Sequence, residues 1–182
     1  FHTVFMTENL DENMKGQVRI LKKFLKSIGI YGSKLSVGGF SGYVTEILIL
    51  RCRSFIEAIS LMANMNRDKQ LIALNEPDPQ FLPSFDSRII IIDPIDPRRN
   101  LGAAISSESL GKFILAARSL IQNPSIGYFK STENKFDIRV FEKVKPNLLI
   151  VEFKIRKRSP DVVWGQLKRS LTALSKQLSI SG

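Results

Sequence analysis

Between Asp11 and Ile28 the apolar residues Met14, Val18, Leu21, Leu25 and Ile28 recur at spacings of three and four, which predicts a helix with one buried face. Gly29 is placed to end it. Beyond Gly38 and Gly39, Ser41 can cap a second helix running to about Leu50, and Ser54 with Glu57 forms the capping-box pattern of a third. The run RIIIIDPIDP is uniformly apolar and then stops at Pro94 and Pro97, the mark of one buried strand followed by a turn. Ser106 opens a long helix whose core stripe is Leu110, Phe113, Ile114, Ala117, Leu120 and Ile121, ended by Pro124. Only the connector 66–87, rich in Pro and Asp, lacks a readable period.

The last third follows a different rule. Leu149, Val151, Phe153 and Ile155 alternate with Glu152, Lys154 and Arg156, predicting a strand covered on one face. Ser159 and Pro160 then suit a helix start, and Trp164, Leu167, Leu171, Leu174 and Leu178 step along one side of the helix. A lone strand cannot satisfy its own edges, so this part needs further strands, near 136–141 or beyond Gly182. Pro124, Gly127 and the STENK stretch interrupt the periodicity over 123–135. The expected fold class is therefore α+β: a mainly helical domain over 1–127 and a small, incomplete α+β domain over 128–182.

With 182 residues and 43% hydrophobic content, wholesale disorder is excluded. No stretch reaches the ~18 to 20 uncharged apolar residues of a membrane helix, since Glu46 and Asp93 interrupt the best runs. The net charge of +10 attracts polyanions, and it is concentrated: residues 130–182 hold twelve basic groups against five acidic ones. A single cysteine, Cys52, rules out an internal disulfide and fits a reducing cytoplasm. The chain opens FHTVF, without Met, and is expected to be a piece of a longer protein.

Several side chains are candidates for chemistry. Lys15, Arg19, Lys22, Lys23 and Lys26 share one helical stripe, which reads either as a solvated face or as an anion-binding one. The segment IYGSKLSVGGFSGY brings glycines to a helix N-terminus, where anions are favoured, although tight packing explains them equally well. Asp93 and Asp96 follow a buried strand and superficially suit a divalent-metal phosphohydrolase, but Asp-Pro steps are turn formers whose carboxylates accept backbone N–H bonds. Arg98 and Arg99, at the strand exit, offer planar forks to a phosphate or a base edge. One His and one Cys cannot assemble a nucleophilic triad.

Taken in order, RILKKFLKSIGIYG, GGFSGYVTEILIL, the strand with DPIDPRRN and the helix ending NPSIGYFK resemble the archaeal-type (class I) CCA-adding tRNA nucleotidyltransferase family, over its central domain and the start of its tail. The resemblance implies a helical domain of the poly(A) polymerase and oligoadenylate synthetase type, acting on ATP and CTP and on the acceptor stem and 3′ end of tRNA. It also implies a separate N-terminal nucleotidyltransferase head that carries the metal-binding carboxylates and their Mg2+. Apart from the resemblance, a homodimer is a candidate assembly. By position, His2, Lys22 and Tyr31 match the incoming-nucleotide contacts, and Arg99 matches the arginine of DPxDxxRN that helps read C or A. Arg98, Lys154, Arg156, Lys157 and Arg158 are the expected RNA contacts. The rival from another class is a non-enzymatic RNA-binding module that kept this fold without the head.

Overall fold

A computed structural model describes residues 2–66, 70–76, 80, 84–130 and 157–180. The chain divides into two compact units, Phe1–Ser131 and Thr132–Gly182. The first holds helices α1 (His2–Asn9), α2 (Glu12–Ser27), α3 (Gly42–Cys52) and α4 (Phe55–Ala63), strands β1 (Gln70–Ile72) and β2 (Ile89–Ile91), a 3-10 turn at Leu101–Ala104, and helix α5 (Ser107–Gln122).

Helices α2 to α5 each start where a short polar side chain takes an orphan backbone donor. Asp11 accepts from the Met14 N–H, Ser41 from Val44, Ser54 from Glu57 and Ser106 from Ser109. Helix α2 ends at Gly29, whose φ of +73° suits a residue with no Cβ, and the Ile30 N–H then reaches back to the Leu25 carbonyl at 2.9 Å. The core lies between α2, α3, α4 and α5 and is built on aromatic rings. Phe24, fully buried, packs against Phe55, Phe113, Tyr128 and Phe129, while Phe40 meets Phe113 edge-on at 5.0 Å between centroids. Phe24 widens the α2 stripe beyond the positions its spacing picks out. Arg118, on the outward side of α5, donates to the carbonyls of Ala63 and Met65 and so closes the C-terminus of α4.

The predicted buried strand is β2, with all three isoleucines inside. Its partner is β1, which lies in the unreadable connector and pairs in parallel, Gln70 with Ile89 through Ile72 with Ile91. Beyond β2 the chain makes a turn pinned by Asn100: its Oδ1 accepts from the N–H groups of Ile91 and Gly102, and its Nδ2 donates to Ser87 Oγ at 2.7 Å. One position in the α5 stripe departs from expectation. Ile121 is 50% exposed and not in the core: it lines an apolar groove with Ile56, Ile126 and Phe129, beside the turn at Pro124 that follows the helix end.

In the second unit, helix α6 (Pro160–Ile180) begins at the expected proline. Trp164, Leu171, Leu174 and Leu178 on it are exposed. The strand expected over 149–155 lies outside the described residues. Among the described residues no helix is long and apolar enough to cross a membrane.

Candidate functional site

The N-terminus of α3 gathers the charged side chains. Lys22, on α2, reaches across to Glu46, one turn into α3, with Nζ to Oε1 at 2.8 Å. Tyr31, in the loop after α2, is fixed by main-chain bonds: the Gly32 N–H donates to the Phe40 carbonyl and the Phe40 N–H to the Ile30 carbonyl, each at 2.8 Å. Lys26 Nζ stands over the Tyr31 ring, 5.1 Å from its centroid, close enough for a cation–π attraction. A methyl group at Gly42 would lie 3.2 Å from the Tyr31 hydroxyl oxygen and 3.9 Å from Lys22 Nζ, so both side chains end over the first turn of α3. Of the five-cation stripe on α2, therefore, Lys22 and Lys26 face this point, and the positive end of the α3 dipole adds to them.

The next residue of α3, Tyr43, begins a second group. Its hydroxyl donates to Asp93 Oδ1 at 3.0 Å, and its ring lies 4.3 Å from the His2 imidazole, centroid to centroid. Asp93 is 1% exposed. Its Oδ1 also accepts from the Ile95 N–H, as an Asp-Pro turn requires, while Oδ2 faces His2 Nε2 at 3.4 Å and Arg99 Nη1 at 3.7 Å. Arg99 is brought back to Asp93 by the turn itself: the Asp93 N–H donates to the Arg99 carbonyl at 3.1 Å. His2, Tyr43 and Glu46 line a cleft of about 430 Å³ shared by α1, α2 and α3. A larger groove of about 910 Å³, past Phe5, Arg51, Arg53 and Glu76, meets none of these groups.

Residues 16–130 match the family described as tRNA nucleotidyltransferase, second domain. The chain belongs to that family. Along its whole length the chain is similar to proteins named CCA-adding enzyme: 39% identical over 183 residues to one from Saccharolobus shibatae, covering 100% of the chain and 42% of the relative. A relative with the same name from Pyrobaculum islandicum is 37% identical over 168 residues, with 92% of the chain and 38% of the relative covered. The chain thus spans about two-fifths of the length of these curated relatives. The family match contains Lys22, Tyr31, Tyr43, Asp93 and Arg99.

The structure brings Lys22 and Tyr31 together at Gly42, and His2 and Arg99 together at Asp93, with α3 joining the two pairs. Arg98 is turned elsewhere, its Nε 3.1 Å from Asp96 Oδ1 on the exposed side of the turn. Lys157 and Arg158 are exposed in the second unit, and Lys154 and Arg156 lie outside the described residues. Among the described residues no three His, Cys, Asp or Glu side chains gather as a metal site. Asp93 Oδ1 is engaged with Tyr43 and Ile95, and Asp96 Oδ1 with Arg98. Sequence reasoning passed over Tyr43 and Glu46. Their partners are far away in the chain, and only the helical period that sets residues 42, 43 and 46 on the first turn of α3 hinted at them.

Burial, and then the hydrogen bond to Asp93, pushes the Tyr43 hydroxyl well above its ordinary value, and burial pushes the Cys52 thiol from 9.0 up to about 11. Both groups keep their proton in the folded state at a pH where the unfolded chain has lost it. Their stabilisation is therefore full below the unfolded values and declines as pH rises, first for Cys52 and then for Tyr43. The melting temperature is expected to start falling near pH 9 and to fall further toward pH 11, and Cys52→Ala should flatten the first part of that decline. Melts that stay level to pH 11 would contradict it.

Proposed function

We propose that the chain is the substrate-binding portion of a CCA-adding tRNA nucleotidyltransferase, with a helical domain of the poly(A) polymerase type over 1–127 and the start of an RNA-contacting domain over 128–182. One observation carries the reading: in a chain similar to CCA-adding enzymes, Lys22 and Tyr31 converge on the helix N-terminus that also holds Tyr43 against the Asp93–Arg99 turn. A nucleoside triphosphate, with about four negative charges, is matched by an ammonium, a phenolic donor and a helix N-terminus arranged around one point. Arg99 offers its guanidinium edge to the base of CTP or ATP or to the RNA terminus, and His2 flanks it. Arg98, Lys154, Arg156, Lys157 and Arg158 neutralise tRNA phosphates. Bond-making, in which the tRNA 3′-hydroxyl attacks the α-phosphate and pyrophosphate leaves, belongs to a nucleotidyltransferase head that carries the carboxylates and Mg2+. This chain by itself then binds and orients but does not transfer.

Calorimetric titration of the 182-residue chain with ATP and CTP tests the assignment. Lys22→Ala should weaken both affinities by roughly ten- to a hundred-fold, the worth of a charge-assisted contact, and Tyr31→Ala by about tenfold, with melting temperatures little changed. Affinities unmoved by either substitution would overturn it. The twelve basic and five acidic groups of 130–182 support the rival RNA-binding module. That reading would prevail if tRNA bound with a steep salt dependence while neither nucleotide bound at all.

A further inference from the structure

We infer that Asp93 is a positioning residue whose buried carboxylate sets the direction in which Arg99 and His2 present their nitrogens to the nucleotide. The inference rests on the reading of the site given above. It starts from an imbalance between the two carboxylate oxygens. Oδ1 does all that the turn needs, accepting from the Ile95 N–H and the Tyr43 hydroxyl at 3.0 Å each. Oδ2 is buried and, among the described residues, accepts no hydrogen bond. A neutral amide would serve the turn through Oδ1 equally well, whereas a buried charge carries a desolvation cost that turn formation does not repay.

Two groups face that charge. His2 Nε2 lies 3.4 Å away and Arg99 Nη1 3.7 Å away, and their side chains are 47% and 58% exposed, so each is anchored at its inner edge and open at its outer one. Asp96 provides an internal comparison. It stands in the same Asp-Pro context and accepts from the Arg98 N–H in the same way, yet its side chain is 44% exposed and its ion pair is with Arg98 on the solvent side. Turn chemistry alone therefore does not call for a buried aspartate. Tyr43 completes the support, since its hydroxyl holds Oδ1 and its ring packs against the His2 imidazole. At more than 3.3 Å, Oδ2 aims Arg99 and His2 without tying them down. Contacts of this kind shorten when a ligand closes the site.

The experiment uses the 15N-labelled 182-residue chain with CTP and ATP as probes. Asp93→Asn keeps the Oδ1 acceptor and replaces Oδ2 with an amide that donates toward two other donors. It should lower nucleotide affinity about tenfold, but cause no further loss in an Arg99→Ala, His2→Ala background. Without nucleotide, the Arg99 Nε–H and His2 imidazole resonances should shift in Asp93→Asn. Wild-type affinity in Asp93→Asn, or an equal loss in both backgrounds, would overturn the inference. Should Asp93→Asn fail to fold, Tyr43→Phe keeps the ring on His2 and removes only the hydroxyl. A several-fold affinity loss that vanishes in the same background supports the role, and an unchanged affinity refutes it. If the wild-type chain bound neither nucleotide, the functional reading would fail by itself. The resonances would then decide alone: shifted, they support Asp93 as the group that orients Arg99 and His2, and unmoved, they refute it.

Discussion

Gly39→Ala is expected to remove most of the stability of the first unit. A methyl group there would lie 2.1 Å from the Ile30 carbonyl oxygen, 2.7 Å from its carbon and 2.9 Å from Val37 Cγ1. Two of these three obstacles are backbone, so a rotamer change cannot relieve the clash. The chain has to part, and it parts where the Phe40 N–H meets the Ile30 carbonyl at 2.8 Å and the Gly39 N–H meets the Gly32 carbonyl at 3.2 Å. Overpacking of about 1–3 kcal/mol and two lost hydrogen bonds of about 1 kcal/mol each bring the expected loss to roughly 3–5 kcal/mol, a large share of a typical domain's stability. Urea denaturation followed by tryptophan-independent far-UV circular dichroism would measure it. Because the same loop carries Tyr31, any folded remainder should also bind ATP more weakly, and a wild-type urea midpoint would show that the loop is not tight.

Phe113→Ala should cost a similar amount by the opposite route. Its ring is fully buried and touches both Phe24 and Phe40, so truncation leaves a cavity where α2, α5 and the loop bearing Phe40 meet. Removing a buried phenyl costs about 3–5 kcal/mol, whereas Leu115→Ala, two residues along the same helix and 67% exposed, should stay within about 0.5 kcal/mol. Equal effects at the two positions would mean that α5 packs with its other face inward.

The parts of this architecture that could be read from the sequence are those governed by local rules. Ser41, Ser54 and Ser106 cap helices because a hydroxyl three residues before an N–H has one obvious use, and the α2 stripe and the Ile89–Ile92 run bury themselves by period and composition. Helix α1 offers no such signal, as its one buried residue, Met6, sets no stripe. Strand β1 is only three residues long and gains its identity from β2, so no pattern within it could reveal it. At the site, family resemblance singled out Lys22, Tyr31, His2 and Arg99. The elements that hold them could not be read in this way. Glu46 is 24 residues from Lys22 and Asp93 is 50 from Tyr43, separations at which no spacing rule operates. Asp93 was legible as a turn former, and its second oxygen was not.

Helix α3 buries Val44, Thr45 and Ile47 through Leu50, so it is clasped on nearly every side along most of its length. A close-packed interior resists sliding, and a rod held in this way cannot translate or roll without dislodging several layers at once. Accommodation of a ligand at its tip must then come from outside it: from the long cationic arms of α2, from the terminal helix bearing His2, or from whatever docks opposite. If the proposed nucleotide site is correct, the backbone of α3 should superpose unchanged between empty and filled states.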